Sequence, residues 1–147
     1  MEPVRLNRYC STSQLRAALE NRTDEYTLII LGADPVDISQ DAVDRMIQIA
    51  RDKGSVIVYS DYNTATPDGK ITPHRNIAYQ PGAFRDNFNF GRVTLWHTAT
   101  LQNIMWLMPA YNYAVLYACR LTASTRGPIT HIPERLYTVC MLSLIHI

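Results

Sequence analysis

Apolar residues follow two spacings along the first part of the chain, that of an amphipathic helix and that of a buried strand. Val43, Met46 and Ile47 form one helical stripe, and Gly54 is placed to end that helix because glycine accepts the left-handed conformation. The run YTLIILG has no polar alternation, which is typical of a strand covered on both faces. The pattern predicts a helix over 11–22, a strand over 26–32, a loop over 33–39, a helix over 40–54 and a strand over 55–63.

This order of helix and strand predicts an α/β fold with parallel pairing and right-handed crossovers. The pattern becomes less regular afterwards. Pro67, Asp68 and Gly69 predict the turn of a small hairpin, because proline presets φ and glycine accepts a positive φ. An irregular, aromatic-rich excursion is predicted over 75–91, a strand over 92–98, helices around 99–108 and 110–122, and a short last strand over 129–132.

Composition narrows the class of protein. The 147 residues are 47% hydrophobic and 18% charged, which predicts one folded domain. The net charge of +1 disfavours nucleic acid and anionic membranes as partners. Three scattered cysteines without a CxxC pair favour a reducing, cytoplasmic setting. The apolar runs are shorter than the roughly 20 residues of a membrane span, so none is expected.

Asp61 is the first candidate for chemistry, because it follows the apolar run VIVY where the second strand is predicted to end. Carboxyl ends of strands in open α/β sheets border the ligand crevice. A carboxylate there can hold Mg²⁺ or Mn²⁺ against a phosphate-bearing ligand. The alternative is that Asp61 caps a turn. Tyr59 lies near the same predicted crevice, where its ring could stack on a base or a sugar.

The segment RDNFNFG, residues 85–91, is the second candidate. Its polar side chains alternate with phenylalanines, which suits a half-buried ledge that faces a polar ligand. An ordinary edge strand has the same pattern. His97 and His131 lie in strand-like contexts and are interpreted as hydrogen-bonded packing residues. The ligand-facing candidates on the ledge are Arg85, Asp86, Asn87 and Asn89.

Three strings together carry a family resemblance: YSDY at 59–62, RDNFNFG at 85–91 and HIPERLY at 131–137. With the residues around them, they resemble family 2 glycosyltransferases and look closest to a bacterial subgroup. The resemblance implies a GT-A-like, Rossmann-related mixed sheet with flanking helices, incomplete at both ends. It implies a partial glycosyltransferase domain over 1–139 and a non-native tail over 140–147.

The resemblance also implies roles at the site. Asp61 matches the place of the family's Asp-x-Asp motif, which binds a metal ion, Mg²⁺ or Mn²⁺, and the donor diphosphate, although Asn63 replaces the second acid. The ledge matches a segment of the sugar and acceptor pocket, so Asp86, Asn87 and Asn89 are implied there. The implied partners are a nucleotide-sugar donor and a saccharide acceptor. This sugar-transfer interpretation requires the Asp61 carboxylate to emerge into an open cleft, and burial of that side chain would overturn it.

The family's general base has no counterpart among the matching residues. It lies on a helix upstream of the HIPE-like strand, and the matching residues 111–121 contain no acid. Between Asp86 and Glu134 the chain has no aspartate or glutamate at all. Asp86 is therefore the candidate substitute base. The alternative hypothesis is a non-catalytic α/β module that binds a saccharide or a protein.

Overall fold

The computed structural model describes residues 2–7, 9–75, 90–111 and 115–141. Helices and strands alternate through most of these ranges. They are β1 (Val4–Leu6), α1 (Thr12–Leu19), β2 (Tyr26–Leu31), β3 (Val36–Ile38), α2 (Gln40–Lys53), β4 (Ile57–Ala65), β5 (Ile71–His74), β6 (Val93–His97), α3 (Thr98–Leu107), α4 (Val115–Ala123) and β7 (Ile129–Cys140).

The strands form one mixed sheet in the order β1-β2-β6-β4-β7-β3, with β5 paired to β4. β1 is parallel to β2, and β4 is parallel to β7. β6 lies antiparallel between β2 and β4, so β2 and β4 run in the same direction. The predicted α/β class is confirmed. The expectation of parallel pairing holds only in part. The two buried strands β2 and β4 run in the same direction, but they do not pair with each other because the antiparallel strand β6 lies between them.

Serine and glycine set the ends of α2. The Ser39 hydroxyl accepts a hydrogen bond from Ala42 N, which satisfies one of the free amides of the first turn. Gly54 ends the helix in the left-handed conformation at φ 63°, as its place after the apolar stripe predicts. A well-capped helix with one apolar face packs on the sheet in one orientation.

Hydrophobic side chains cover both faces of the sheet, which explains why β2 is buried along its whole length. The helices α1, α3 and α4 cover one face, here called the three-helix face. The helix α2 covers the other. Alternate residues of the central strands point to opposite faces. On the three-helix face these are Ile29, Leu31, Ile57, Tyr59 and Trp96, and on the α2 face Leu28, Ile30, Val58, Val93 and Leu95.

Two strands absent from the sequence prediction are short ones at the outside of the sheet, β1 and β3, the latter within the predicted loop over 33–39. β7 is much longer than predicted and runs through Pro133 to Cys140, one residue past the expected domain boundary at 139. Its pairing with β4 shifts at Pro133, because Ser60 faces Ile132 whereas Asp61 faces Arg135. Proline cannot donate to a ladder, so a bulge accommodates it and pairing resumes beyond.

The three cysteines, Cys10, Cys119 and Cys140, are free thiols. Burial raises the pKa of Cys119 to about 12, and burial also raises the pKa of Cys10. Both thiols therefore stay protonated and pack as apolar groups. In the part of the chain that the structure describes, no helix is long and apolar enough to cross a bilayer.

Candidate functional site

Asp61 lies inside β4 and not at its end. The strand continues through Asp61 to Ala65, because its second half pairs with β5 on one side and β7 on the other. The Asp61 side chain is only 8% exposed. The expectation that this carboxylate emerges from the sheet into an open cleft is therefore wrong.

The Asp61 carboxylate forms a pair with an imidazole of the neighbouring strand β7. His131 Nε2 lies 2.7 Å from Asp61 Oδ1, and the His131 side chain is 11% exposed. An ionised carboxylate only accepts hydrogen bonds, so Nε2 carries the hydrogen and donates it. In the neutral ring, Nδ1 then holds the lone pair. Asp61 and His131 thus form a buried dyad, in which the hydrogen bond from Nε2 fixes the orientation of the imidazole ring.

Tyr59 is fully buried beside this dyad. Its ring stacks on His131 at 5.0 Å between centroids and packs against Phe90 at 4.6 Å. A ring with no exposed surface cannot receive a base or sugar without moving. This burial contradicts the expectation that Tyr59 stacks on a ligand, and it gives Tyr59 the role of fixing the His131 ring.

The ledge candidates fall outside the described residues. Arg85, Asp86, Asn87 and Asn89 all belong to the range 76–89. Their roles, including that of Asp86 as substitute base, stay predictions.

A cavity that no sequence pattern predicted lies at the carboxyl ends of the parallel strands β1 and β2. Its volume is about 310 Å³. Ligands of open α/β sheets bind at this edge, so the position is informative apart from any motif. The sequence feature that points to this cavity is Gly32, which directly follows the buried strand β2. The residues that line it are Asn7, Tyr9, Leu31, Gly32 and Arg92.

Arg92 brings a positive charge to this cavity. Its Nη1 donates to Asp34 Oδ2 at 3.1 Å, and its side chain is 26% exposed. The guanidinium carries further N–H donors in a planar fork, which suits the oxygens of a phosphate. Arg5 stiffens the same corner by donating from Nη1 to Gly32 O at 2.8 Å and to Asp34 O at 3.0 Å. The cavity wall therefore holds a guanidinium whose charge is paired with the Asp34 carboxylate and whose position is fixed by this corner.

The cavity and the dyad share one edge and one face of the sheet. Leu31 N donates to Arg92 O at 2.8 Å, and Tyr59 faces Thr94 in the pairing of β4 with β6. Continuing that register by two residues brings Asp61 level with Arg92. Strands lie about 4.8 Å apart, so Asp61 is about 10 Å across the sheet from Leu31 at the cavity wall.

Gly32 allows the close approach of Arg92. Its φ is 89°, and a Cβ added there would meet Arg92 Nη1 at 2.8 Å. We expect Gly32→Ala to lower the free energy of unfolding by about 2–3 kcal/mol, from backbone strain plus the displaced guanidinium. Gly69→Ala is the matched control, because Gly69 has a φ of 91° and no neighbour within 4 Å. Urea unfolding of both variants tests this, and equal losses would contradict the close packing on Arg92.

Two of the described carboxylates near this edge of the sheet already have partners. The Asp34 carboxylate is bonded to Arg92, and the Asp61 carboxylate is bonded to His131. Within the described ranges, no group of three or more histidine, cysteine, aspartate or glutamate side chains could hold a metal ion. Mg²⁺ or Mn²⁺ at Asp61 stays a prediction.

No family model matches the chain, and no curated protein matches it either. A functional assignment therefore depends on the geometry of the cavity and the dyad.

Proposed function

We propose that the chain is part of a glycosyltransferase with a GT-A-like fold, which transfers a sugar from a nucleotide-sugar donor to a saccharide acceptor. The observation that carries this proposal is the cavity at the carboxyl ends of β1 and β2, with the Arg92 guanidinium in its wall. Ligands of open α/β sheets bind at this edge. A cavity of about 310 Å³ is at the small end of ligand sites, which suits one part of an extended donor.

In this proposal, Arg92 binds the donor diphosphate. A guanidinium can form paired hydrogen bonds to phosphate oxygens, and its charge offsets the negative charge that develops on the leaving diphosphate. Gly32 lets the backbone come close to the ligand, because it has no side chain in the way. The burial of Asp61 overturns the sugar-transfer interpretation that was based on that carboxylate, so the present proposal depends on the cavity and Arg92 in its place.

The second candidate function is a non-catalytic module that binds a saccharide or a protein. The absence of any acid between Asp86 and Glu134 favours it, because sugar transfer with inversion needs a base near the attacking hydroxyl. The burial of Asp61 favours it as well. Turnover of a nucleotide sugar separates the two functions, since the non-catalytic module binds without turnover.

Donor binding tests the proposed function. We expect calorimetric titration with UDP-glucose, UDP-N-acetylglucosamine and GDP-mannose to identify at least one ligand. Binding should persist in EDTA, because the described residues hold the diphosphate through Arg92 and not through a cluster of acids. Adding Mn²⁺ should change the affinity little. Binding that appears only with Mn²⁺ would instead support the metal site expected from the sequence.

Arg92→Lys should weaken that binding by about 10- to 100-fold, because one charge-assisted pair contributes about 1.5–3 kcal/mol. Lysine keeps the positive charge beside Asp34 but loses the planar fork. Arg45→Lys is the matched control, because Arg45 forms an exposed pair with Glu134 away from the cavity. Equal affinity of Arg92→Lys and the unmodified chain would exclude Arg92 as the diphosphate ligand.

A further inference from the structure

Among the described residues, Asp61 and His131 form an ionisable pair that is buried at both ends. Other buried side-chain pairs there include neutral hydroxyls, such as Ser55 with Thr130 at 2.6 Å and Thr27 with Thr98 at 2.7 Å, whereas the Arg92 end of its ion pair with Asp34 is 26% exposed. An ionisable pair costs more to bury than a pair of hydroxyls, and packing alone does not call for it. The dyad therefore points to a chemical role.

We propose that His131 is the general base of the sugar-transfer reaction and that Asp61 is its positioning residue. This inference rests on the proposed function and supplies the base that the acid-free stretch after Asp86 lacks. The dyad has the geometry of an oriented base, because Asp61 fixes the hydrogen on Nε2 at 2.7 Å and leaves the lone pair on Nδ1.

The step balances with these groups alone. The acceptor oxygen attacks the anomeric carbon, and its proton passes to Nδ1 of His131. The bond between that carbon and the diphosphate oxygen breaks, and its electron pair leaves with the nucleoside diphosphate. Asp61 stabilises the imidazolium that forms, as a carboxylate does for a paired histidine. The proton is released to solvent when the acceptor product leaves.

The position of the dyad agrees with this role. Asp61 on β4 is level with Arg92 on the neighbouring strand β6, about 5 Å away across the sheet, and His131 lies on the next strand, β7, opposite Tyr59. The anomeric carbon is bonded to the diphosphate oxygen, so a donor whose diphosphate binds at Arg92 would bring that carbon toward β4 and the dyad. His131 keeps 11% of its side chain exposed, and within the described ranges its Nδ1 has no hydrogen-bond partner.

Local packing holds the imidazole in place. Tyr59 stacks on its ring with 27° between the planes, and Phe90 packs behind Tyr59. The Arg120 guanidinium lies over Phe90 at 4.9 Å. A base held by a rigid aromatic neighbour loses little freedom when substrate binds, which favours catalysis.

Donor hydrolysis tests the dyad without knowledge of the acceptor, because water serves as acceptor. Release of nucleoside diphosphate from UDP-glucose, UDP-N-acetylglucosamine and GDP-mannose is measured with the full chain. We expect His131→Gln to lower kcat by about 100-fold or more and to leave KM nearly unchanged. Asp61→Asn should lower kcat about as much, because the amide does not stabilise an imidazolium. The matched control is His97→Gln. The His97 ring forms a hydrogen bond with Thr100 at the carboxyl end of β6, away from the dyad.

Chemical rescue separates a base from a structural histidine. Added imidazole should restore part of the kcat of His131→Gly, because the free ring can occupy the space and accept the proton. Unchanged kcat in His131→Gln, with turnover by the unmodified chain, would overturn the dyad but leave the proposed function standing. Lost kcat in that variant without rescue of His131→Gly would likewise overturn the role as base. Absence of both donor binding and turnover in the unmodified chain would overturn the proposed function, and the dyad with it.

Discussion

Tyr59→Ala is expected to lower the free energy of unfolding by about 3–5 kcal/mol, the usual cost of removing a buried aromatic ring. Tyr59 is fully buried and contacts both Phe90 and His131. The vacated volume cannot collapse easily, because β4 pairs with β6 and β7 on its two sides at this point. Urea denaturation followed by circular dichroism measures the loss.

Tyr111→Ala is the matched control for this prediction, since the Tyr111 side chain is exposed. We expect this control to change the free energy of unfolding by less than about 1 kcal/mol, as surface substitutions usually do. Tyr59→Phe keeps the ring and should retain most of the stability that Tyr59→Ala loses. Similar losses in Tyr59→Ala and Tyr111→Ala would show that the Tyr59 ring is not packed in the core.

Asp61→Ala is expected to lower the free energy of unfolding by about 3 kcal/mol at neutral pH. The substitution leaves the buried Nε2 of His131 without its acceptor, and an unpaired buried polar group costs free energy. Asp24→Ala is the control, because the Asp24 carboxylate is 53% exposed and lies 3.7 Å from Arg22. Exposed pairs contribute at most about 1 kcal/mol, so this control should change little.

The two interpretations of Asp61 differ in this experiment. If Asp61 is a metal ligand in an open cleft, Asp61→Ala loses Mn²⁺-dependent donor binding and keeps its stability. If Asp61 belongs to the buried dyad, the variant loses stability whether or not donor is present. The double variant Asp61→Ala with His131→Ala should cost less than the sum of the single variants, because each removes the same hydrogen bond. Additive losses would contradict the dyad.

The strongest periodic patterns predicted their elements well. The apolar stripe of 40–54, with its closing glycine, became α2, and the two unbroken apolar runs became β2 and the first half of β4. These patterns are strong because both faces of the sheet are covered. β1 and β3 are too short, at three residues each, for a periodic pattern to show.

The site was predicted less well, because its geometry depends on pairing between distant segments. Polar residues from Ser60 onward suggested the end of a strand, but β4 continues there between β5 and β7, where burial on both faces is less complete. The partner of Asp61 lies 70 residues away, and the register of β4 against β7 decides the contact. No local spacing reveals such a register. The cavity depends in the same way on β1 and Arg92 meeting at Gly32.

Tyr137 connects the last described strand to the cavity wall. Its hydroxyl accepts hydrogen bonds from Arg92 N at 3.1 Å and Val93 N at 3.4 Å, reaching from β7 past β4 to the start of β6. Burial raises the pKa of Tyr137 well above its ordinary value, so the hydroxyl stays neutral. The backbone that carries the phosphate-facing arginine is thus tethered by a residue more than forty positions downstream. A nascent chain that ends before Tyr137 would therefore have all the cavity-lining residues and still lack this tether on the Arg92 backbone.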